Sequence, residues 1–87
     1  MTIDRVWERI VAHEGERFRQ ILGKEFTYRI AGHGAVLSTT NQTLPKSTFG
    51  KALERMPARS TVPLQDLRGP SYLYAILMDH RIRQGDW

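Results

Sequence analysis

The chain has 87 residues, 40% hydrophobic and 25% charged, which fits one modest domain spanning residues 1–87 and excludes an unfolded polar chain and a large enclosed substrate cavity. It contains no cysteine, so disulfides, thiolate zinc sites and cysteine nucleophiles are excluded too. The net charge of +4 is unevenly spread: residues 1–16 sum to −2, 17–38 and 39–60 to +3 each, and 61–87 to zero, so the positive charge is central.

The first element is an amphipathic helix. Ile3, Val6, Trp7, Ile10 and Val11 recur at i, i+3, i+4, i+7 and i+8, Thr2 is placed as the N-cap, and Asp4 lies in the first turn, where the helix dipole favours an anion. The pattern runs to about His13 and stops at Gly15. Beyond it the period changes to two. Phe26, Tyr28 and Ile30 alternate with Thr27 and Arg29, predicting a half-buried strand. A Phe18–Ile21 strand precedes it across a turn at Gly23. The glycines of "AGHGAVLS" mark a second hairpin turn before a third strand through Val36. A three-stranded antiparallel meander is the economical arrangement, since a lone hairpin is marginal in water.

The polar run Ser38–Thr43 leads into a helix with Pro45 as its first residue. Phe49, Ala52, Leu53 and Met56 form its apolar face, and Pro57 ends it. Residues 57–70 read as an ordered loop with one short turn at Pro63–Leu67. A last helix runs from Pro70 to about His80. Leu73, Ile76 and Leu77 make its core face, while Tyr74, Met78 and Ile82 make a second apolar face suited to a partner. The expected fold is α+β, with a helix, the meander, a helix, a loop and a C-terminal helix, the helices packed on one sheet face. Its core should hold Val6, Trp7, Ile10, Phe26, Tyr28, Ile30, Phe49, Leu53, Leu73, Ile76 and Leu77.

The central basicity suggests an anionic partner, and arginine outnumbers lysine ten to three, which suits bidentate phosphate contacts. On the Pro45–Met56 helix, Ser47, Lys51 and Arg55 share one i, i+4, i+8 ridge opposite Phe49, with Thr48 beside it and Lys46 at the N-terminus. Like charges at this spacing repel unless an anion offsets them. Asn41, in the polar run, and Arg29, on the strand, add donors. The expected function is therefore a non-enzymatic nucleic-acid-binding module with Lys46, Ser47, Thr48, Lys51, Arg55, Asn41 and Arg29 on phosphate. A solvated helix face explains the ridge equally well. The alternative function is a protein-interaction or homodimer subunit docking through Tyr74, Met78, Ile82 and the Trp87 tail.

No catalytic residue, metal ligand or cofactor is expected. His13, His33 and His80 fall on three separate elements without ligand spacing, Ser71 reads as a helix cap, and "AGHG" lacks the rest of a phosphate loop. The charged stretch Met1–Glu16 does not read as a signal peptide. The longest apolar run, Tyr72–Met78, is far below the roughly 20 residues that span a bilayer. A cytoplasmic protein without a membrane partner is the expectation.

Two resemblances bear on these readings. "LPKSTFGKALER", Leu44–Arg55, is similar to the Ser-Thr-apolar-x-x-Ala-Leu pattern of the recognition helix in helix-turn-helix repressors, which implies a DNA-facing helix. That family needs another helix three or four residues upstream, where this chain reads as a strand. The Gly69–Ile82 stretch, the Phe26-x-Tyr28 strand and the Leu44-Pro-Lys-Ser47 segment together resemble a set of small uncharacterised bacterial proteins of similar length, a resemblance that implies no particular activity.

Overall fold

The computed structural model describes residues 1–87. Helix α1 (Ile3–Ala12) forms where its apolar stripe predicts: the Thr2 hydroxyl accepts the Arg5 N–H at 3.4 Å, and Val6, Trp7 and Ile10 are buried. Strands β1 (Phe18–Arg19) and β2 (Glu25–Phe26) form a two-stranded antiparallel hairpin. Strands β3 (Tyr28–Ala31), β4 (Gly34–Leu37) and β5 (Thr43–Pro45) form a separate three-stranded antiparallel sheet in that order. Helix α2 (Lys46–Leu53) follows, then a 3₁₀ turn (Val62–Leu64), helix α3 (Pro70–Leu77) and helix α4 (His80–Arg83).

The class is thus α+β with an antiparallel meander, but the strands of the meander differ from those the sequence suggests. The Phe26–Ile30 run divides at Thr27. Phe26 pairs with Phe18, whereas Thr27 takes Ser38 as its partner on the opposite side: its N–H donates to the Ser38 hydroxyl at 2.9 Å and its carbonyl accepts the Ser38 N–H at 3.0 Å. The third strand of the sheet is β5, within the stretch expected to be loop and helix start. Asn41 adopts a left-handed conformation, φ 55°, which asparagine tolerates better than most residues. The Leu37 N–H then reaches the Gln42 carbonyl at 2.8 Å. Leu44, fully buried opposite Ala35, fixes the register.

Tyr28, Ile30, Ala35, Leu37 and Leu44 share the inner face of this sheet, and Arg29, Val36 and Thr43 align on the outer one. Both sheet edges are blunted. On β3, the Gly15 N–H bonds the Tyr28 carbonyl at 2.9 Å, and the Glu14 carboxylate accepts the Ile30 N–H at 2.5 Å. On the other side β5 has three residues and ends in Pro45, which has no N–H to offer.

Pro45 is accordingly the residue before α2 rather than its first, and α2 ends at Leu53, three residues short of Met56. Gly50 sits where α2 meets α1, and the nearest side chain is Ile3. The long loop is anchored by Leu64, which is fully buried. The C-terminal helix breaks after Leu77, because the Asp79 side chain accepts the Arg81 N–H at 2.9 Å and caps a new helix there.

The core joins all these elements. Nine of the eleven expected core residues are buried; Ile30 and Leu53 are half-buried against them. Phe18, Ala35, Leu37, Leu44, Ala52, Leu64, Tyr72, Ala75 and Ile82 complete it. Phe18 packs on Tyr28 with ring centroids 5.3 Å apart, Phe26 meets Tyr72 edge-on at 4.9 Å, and Trp7 meets Phe49 at 5.8 Å. The small hairpin is thereby held to the sheet and to α3.

Candidate nucleic-acid interface

The helix ridge does not stand free. Lys46 donates to Asp4 of α1 at 2.6 Å, and this contact holds the Asp4 carboxyl below its usual pKa. Arg55 lies past the end of α2 and grips both carboxylate oxygens of Asp66, with a further bond to the Pro63 carbonyl at 3.0 Å. Asp66 is likewise held below the usual carboxylate range by that guanidinium. Of the expected ridge cations only Lys51 is exposed without an ion pair. Ser47 and Lys51 line a groove with Met1–Ile3 and Glu54, so a carboxylate sits beside that lysine. Thr48 is half-buried.

Two more arginines are structural. Arg9 donates to the Ile82 carbonyl at 2.9 Å and to Asp86 at 2.6 Å, closing the C-terminal end of α4 onto α1. Arg81 lies 4.0 Å over the Phe18 ring and bonds Asp79, Glu16 and the Arg17 carbonyl. Burial alone would raise the Asp79 pKa, yet the Arg81 hydrogen bonds hold it below the usual value. Glu16 is lowered by its hydrogen bonds from His13 and Arg81. These cations are satisfied within the fold and have little left to offer a ligand.

Arg29 and Asn41 come together elsewhere. They line one groove of about 390 Å³ on the outer face of the β3–β4–β5 sheet, with Glu14, Thr27 and Ser38 around them. Arg29 is exposed and makes no ion pair. The one carboxylate in the groove, Glu14, has an oxygen engaged by the Ile30 N–H. The Ser38 hydroxyl accepts from the Thr27 N–H and keeps its own proton to donate. The turn bearing Asn41 is pinned to α3 by a 2.7 Å hydrogen bond between Thr39 and the Tyr72 hydroxyl. Arg17, exposed and also without an ion pair, lies two residues beyond Gly15, another residue of this groove. That leaves at most about 7 Å of chain between them.

The structure therefore separates the seven candidate phosphate contacts. Lys46 and Arg55 are neutralised by ion pairs, Ser47 and Lys51 border the α1–α2 groove, Thr48 is half-buried, and Arg29 and Asn41 share the sheet face. Ser38 was missed as a neighbour of Arg29 because its pairing with Thr27 joins two separate strands.

The expected docking face is corrected as well. Ile82 is fully buried, because the break at Asp79 turns α4 and points Ile82 into the core. Trp87 is half-buried, its indole N–H donating to the Leu77 carbonyl at 2.8 Å. Tyr74 and Met78 remain partly accessible and line a groove between α3 and β1. No group of three His, Asp or Glu side chains is placed to hold a metal ion, and no helix is long and apolar enough to cross a membrane. No protein-family model, curated protein or solved structure matches the chain.

Proposed function

We propose that the protein is a non-enzymatic nucleic-acid-binding module whose contact surface is the outer face of the β3–β4–β5 sheet. The observation that carries this reading is the unpaired Arg29 in a groove that also presents the hydroxyl and amide groups of Thr27, Ser38 and Asn41, beside Val36 and the Glu14 carboxylate. Arg29 and Arg17 neutralise phosphates, and Asn41 and the hydroxyls bond to phosphate or sugar oxygens. Such contacts position a backbone without reading its sequence. Base stacking is not part of the reading, because every aromatic ring of the chain is buried or half-buried.

With two phosphate contacts the binding is weak and salt-sensitive. A slope near −0.9 per duplex phosphate reduces affinity about twelvefold between roughly 50 and 200 mM salt. The test is titration of the isotope-labelled protein with a short duplex and a single strand at low salt, reading backbone amide shifts. Shifts clustered on Thr27, Arg29, Ser38 and Asn41, and lost in a folded Arg29→Glu variant, support the proposal. Silent spectra with both oligonucleotides, or shifts that Arg29→Glu leaves unchanged, overturn it.

A further inference from the structure

One group in the sheet-face groove opposes phosphate, the Glu14 carboxylate. It is fixed in place by its own segment: the Gly15 N–H bonds the Tyr28 carbonyl at 2.9 Å, and Glu14 Oε2 accepts the Ile30 N–H at 2.5 Å. These two anchors flank Arg29 on β3, so a held carboxylate and an exposed guanidinium line the same groove of about 390 Å³. No ion pair joins them. Capping the β3 edge uses Oε2 alone, and Oε1 accepts no hydrogen bond from the protein.

A free carboxylate oxygen beside a phosphate-binding cation costs affinity, because like charges meet across the interface. The cost is removed only by a ligand that brings a hydrogen-bond donor along with its phosphate. The backbone of a DNA strand has no such donor: its phosphodiester and deoxyribose oxygens only accept. The ribose of RNA carries the 2′-OH on the carbon next to the one that bears the 3′-phosphate, so each nucleotide presents a donor and an anion side by side. Resting on the nucleic-acid reading of this face, we infer that its ligand is RNA and that Glu14 is the residue that selects it. Arg29 takes a phosphate, and Glu14 Oε1 accepts from the neighbouring 2′-OH. The other groups of the groove suit the same ligand. The Ser38 hydroxyl has accepted from the Thr27 N–H and donates its own proton, and the Asn41 amide both donates and accepts.

Three duplexes of one sequence test this by fluorescence anisotropy at low salt: RNA, DNA, and RNA with every 2′-OH methylated, which keeps the A-form helix and removes the donor. The wild-type chain should hold RNA about tenfold tighter than either of the others, roughly the worth of one hydrogen bond to a charged group. In Glu14→Gln the amide oxygen can keep the Ile30 N–H while the NH₂ faces the groove. This variant should show the wild-type circular dichroism spectrum, bind DNA more tightly than wild type does, and hold RNA and DNA within about threefold of each other. The methylated duplex makes the same test on the unaltered chain. Equal binding of RNA and DNA by the wild-type chain would make a base amino group, common to both, the donor that meets Glu14, and it overturns the inference. So does an RNA preference that survives methylation or Glu14→Gln; in each case the nucleic-acid reading of the face stands. A chain that binds none of the three duplexes overturns that reading, and this inference with it.

Discussion

Replacing Gly50 by alanine should stabilise the protein. Gly50 occupies the interior of α2, where glycine costs about 1 kcal/mol relative to alanine. Its φ is not in the left-handed region. A Cβ built there meets Ile3 Cγ1 at 3.5 Å and Ile3 Cβ at 3.7 Å, ordinary van der Waals contact that asks nothing to move. The α1–α2 crossing therefore does not depend on the missing methyl, and Gly50→Ala should add about 0.5 to 1 kcal/mol. For a chain of this size that raises the melting temperature by several degrees, roughly 4 to 8 °C per kcal/mol. Two other glycines calibrate the argument. At Gly34 a Cβ would lie 2.7 Å from the Thr43 methyl, and at Gly69, with φ +64°, it would lie 3.0 Å from Leu44 Cδ2. Alanine at Gly69 should cost about 1 to 2 kcal/mol from the backbone alone, and more if Leu44 cannot shift. The assay is urea and thermal unfolding of the three variants followed by circular dichroism. A Gly50→Ala protein less stable than wild type, with unchanged denaturant slope, would refute the α1–α2 packing on which the reasoning rests.

Further predictions concern the core, the acid limb and the neutralised ridge. Leu64→Ala should cost 2 to 5 kcal/mol, roughly the range for a fully buried leucine, since this loop residue is part of the core; chemical denaturation reads it, and a cost below about 0.5 kcal/mol would detach the loop from the core. Asp4, Glu16, Asp66 and Asp79 all have depressed carboxyl pKa values. Their contribution to stability is present above the ordinary carboxylate range near pH 4 and is lost as pH falls through the folded values. Asp79→Asn, which retains a capping acceptor, should make that acid decline shallower; an identical pH–stability profile would contradict the Arg81 pairing. The double substitution Arg55→Gln with Asp66→Asn should leave oligonucleotide affinity within about twofold, because a pair already neutral releases no counterion. A larger loss would return Arg55 to the binding surface.

What could be read from the sequence was what is local. The α1 stripe is complete within ten residues, and its boundaries and the burial of Val6, Trp7 and Ile10 follow from spacing, whereas Val11 at the edge of the stripe is exposed. Strand β5 escaped because its only buried side chain is Leu44, set between two exposed residues, and because the turn before it depends on one left-handed asparagine. Ile82 was assigned outward by continuing the helical period from Pro70; a break of two residues at Met78 and Asp79 was enough to reverse it. The charged site failed for a different reason. Spacing rules see partners three or four residues away, whereas Lys46 finds Asp4, Arg55 finds Asp66 and Arg9 finds Asp86, all through tertiary packing. A run of like charges along one helix says which residues share a face, and nothing about the acids that other elements bring to it.

The central claim, that the open sheet face binds nucleic acid through its unpaired arginines, is met most directly by the salt dependence of duplex affinity, measured by fluorescence anisotropy. The wild-type chain should give a log–log slope of about −1.8 for two phosphate contacts, and Arg29→Glu should be shallower by at least about 0.9 as well as weaker. Equal slopes for the two proteins, or affinity that does not respond to salt, would contradict it.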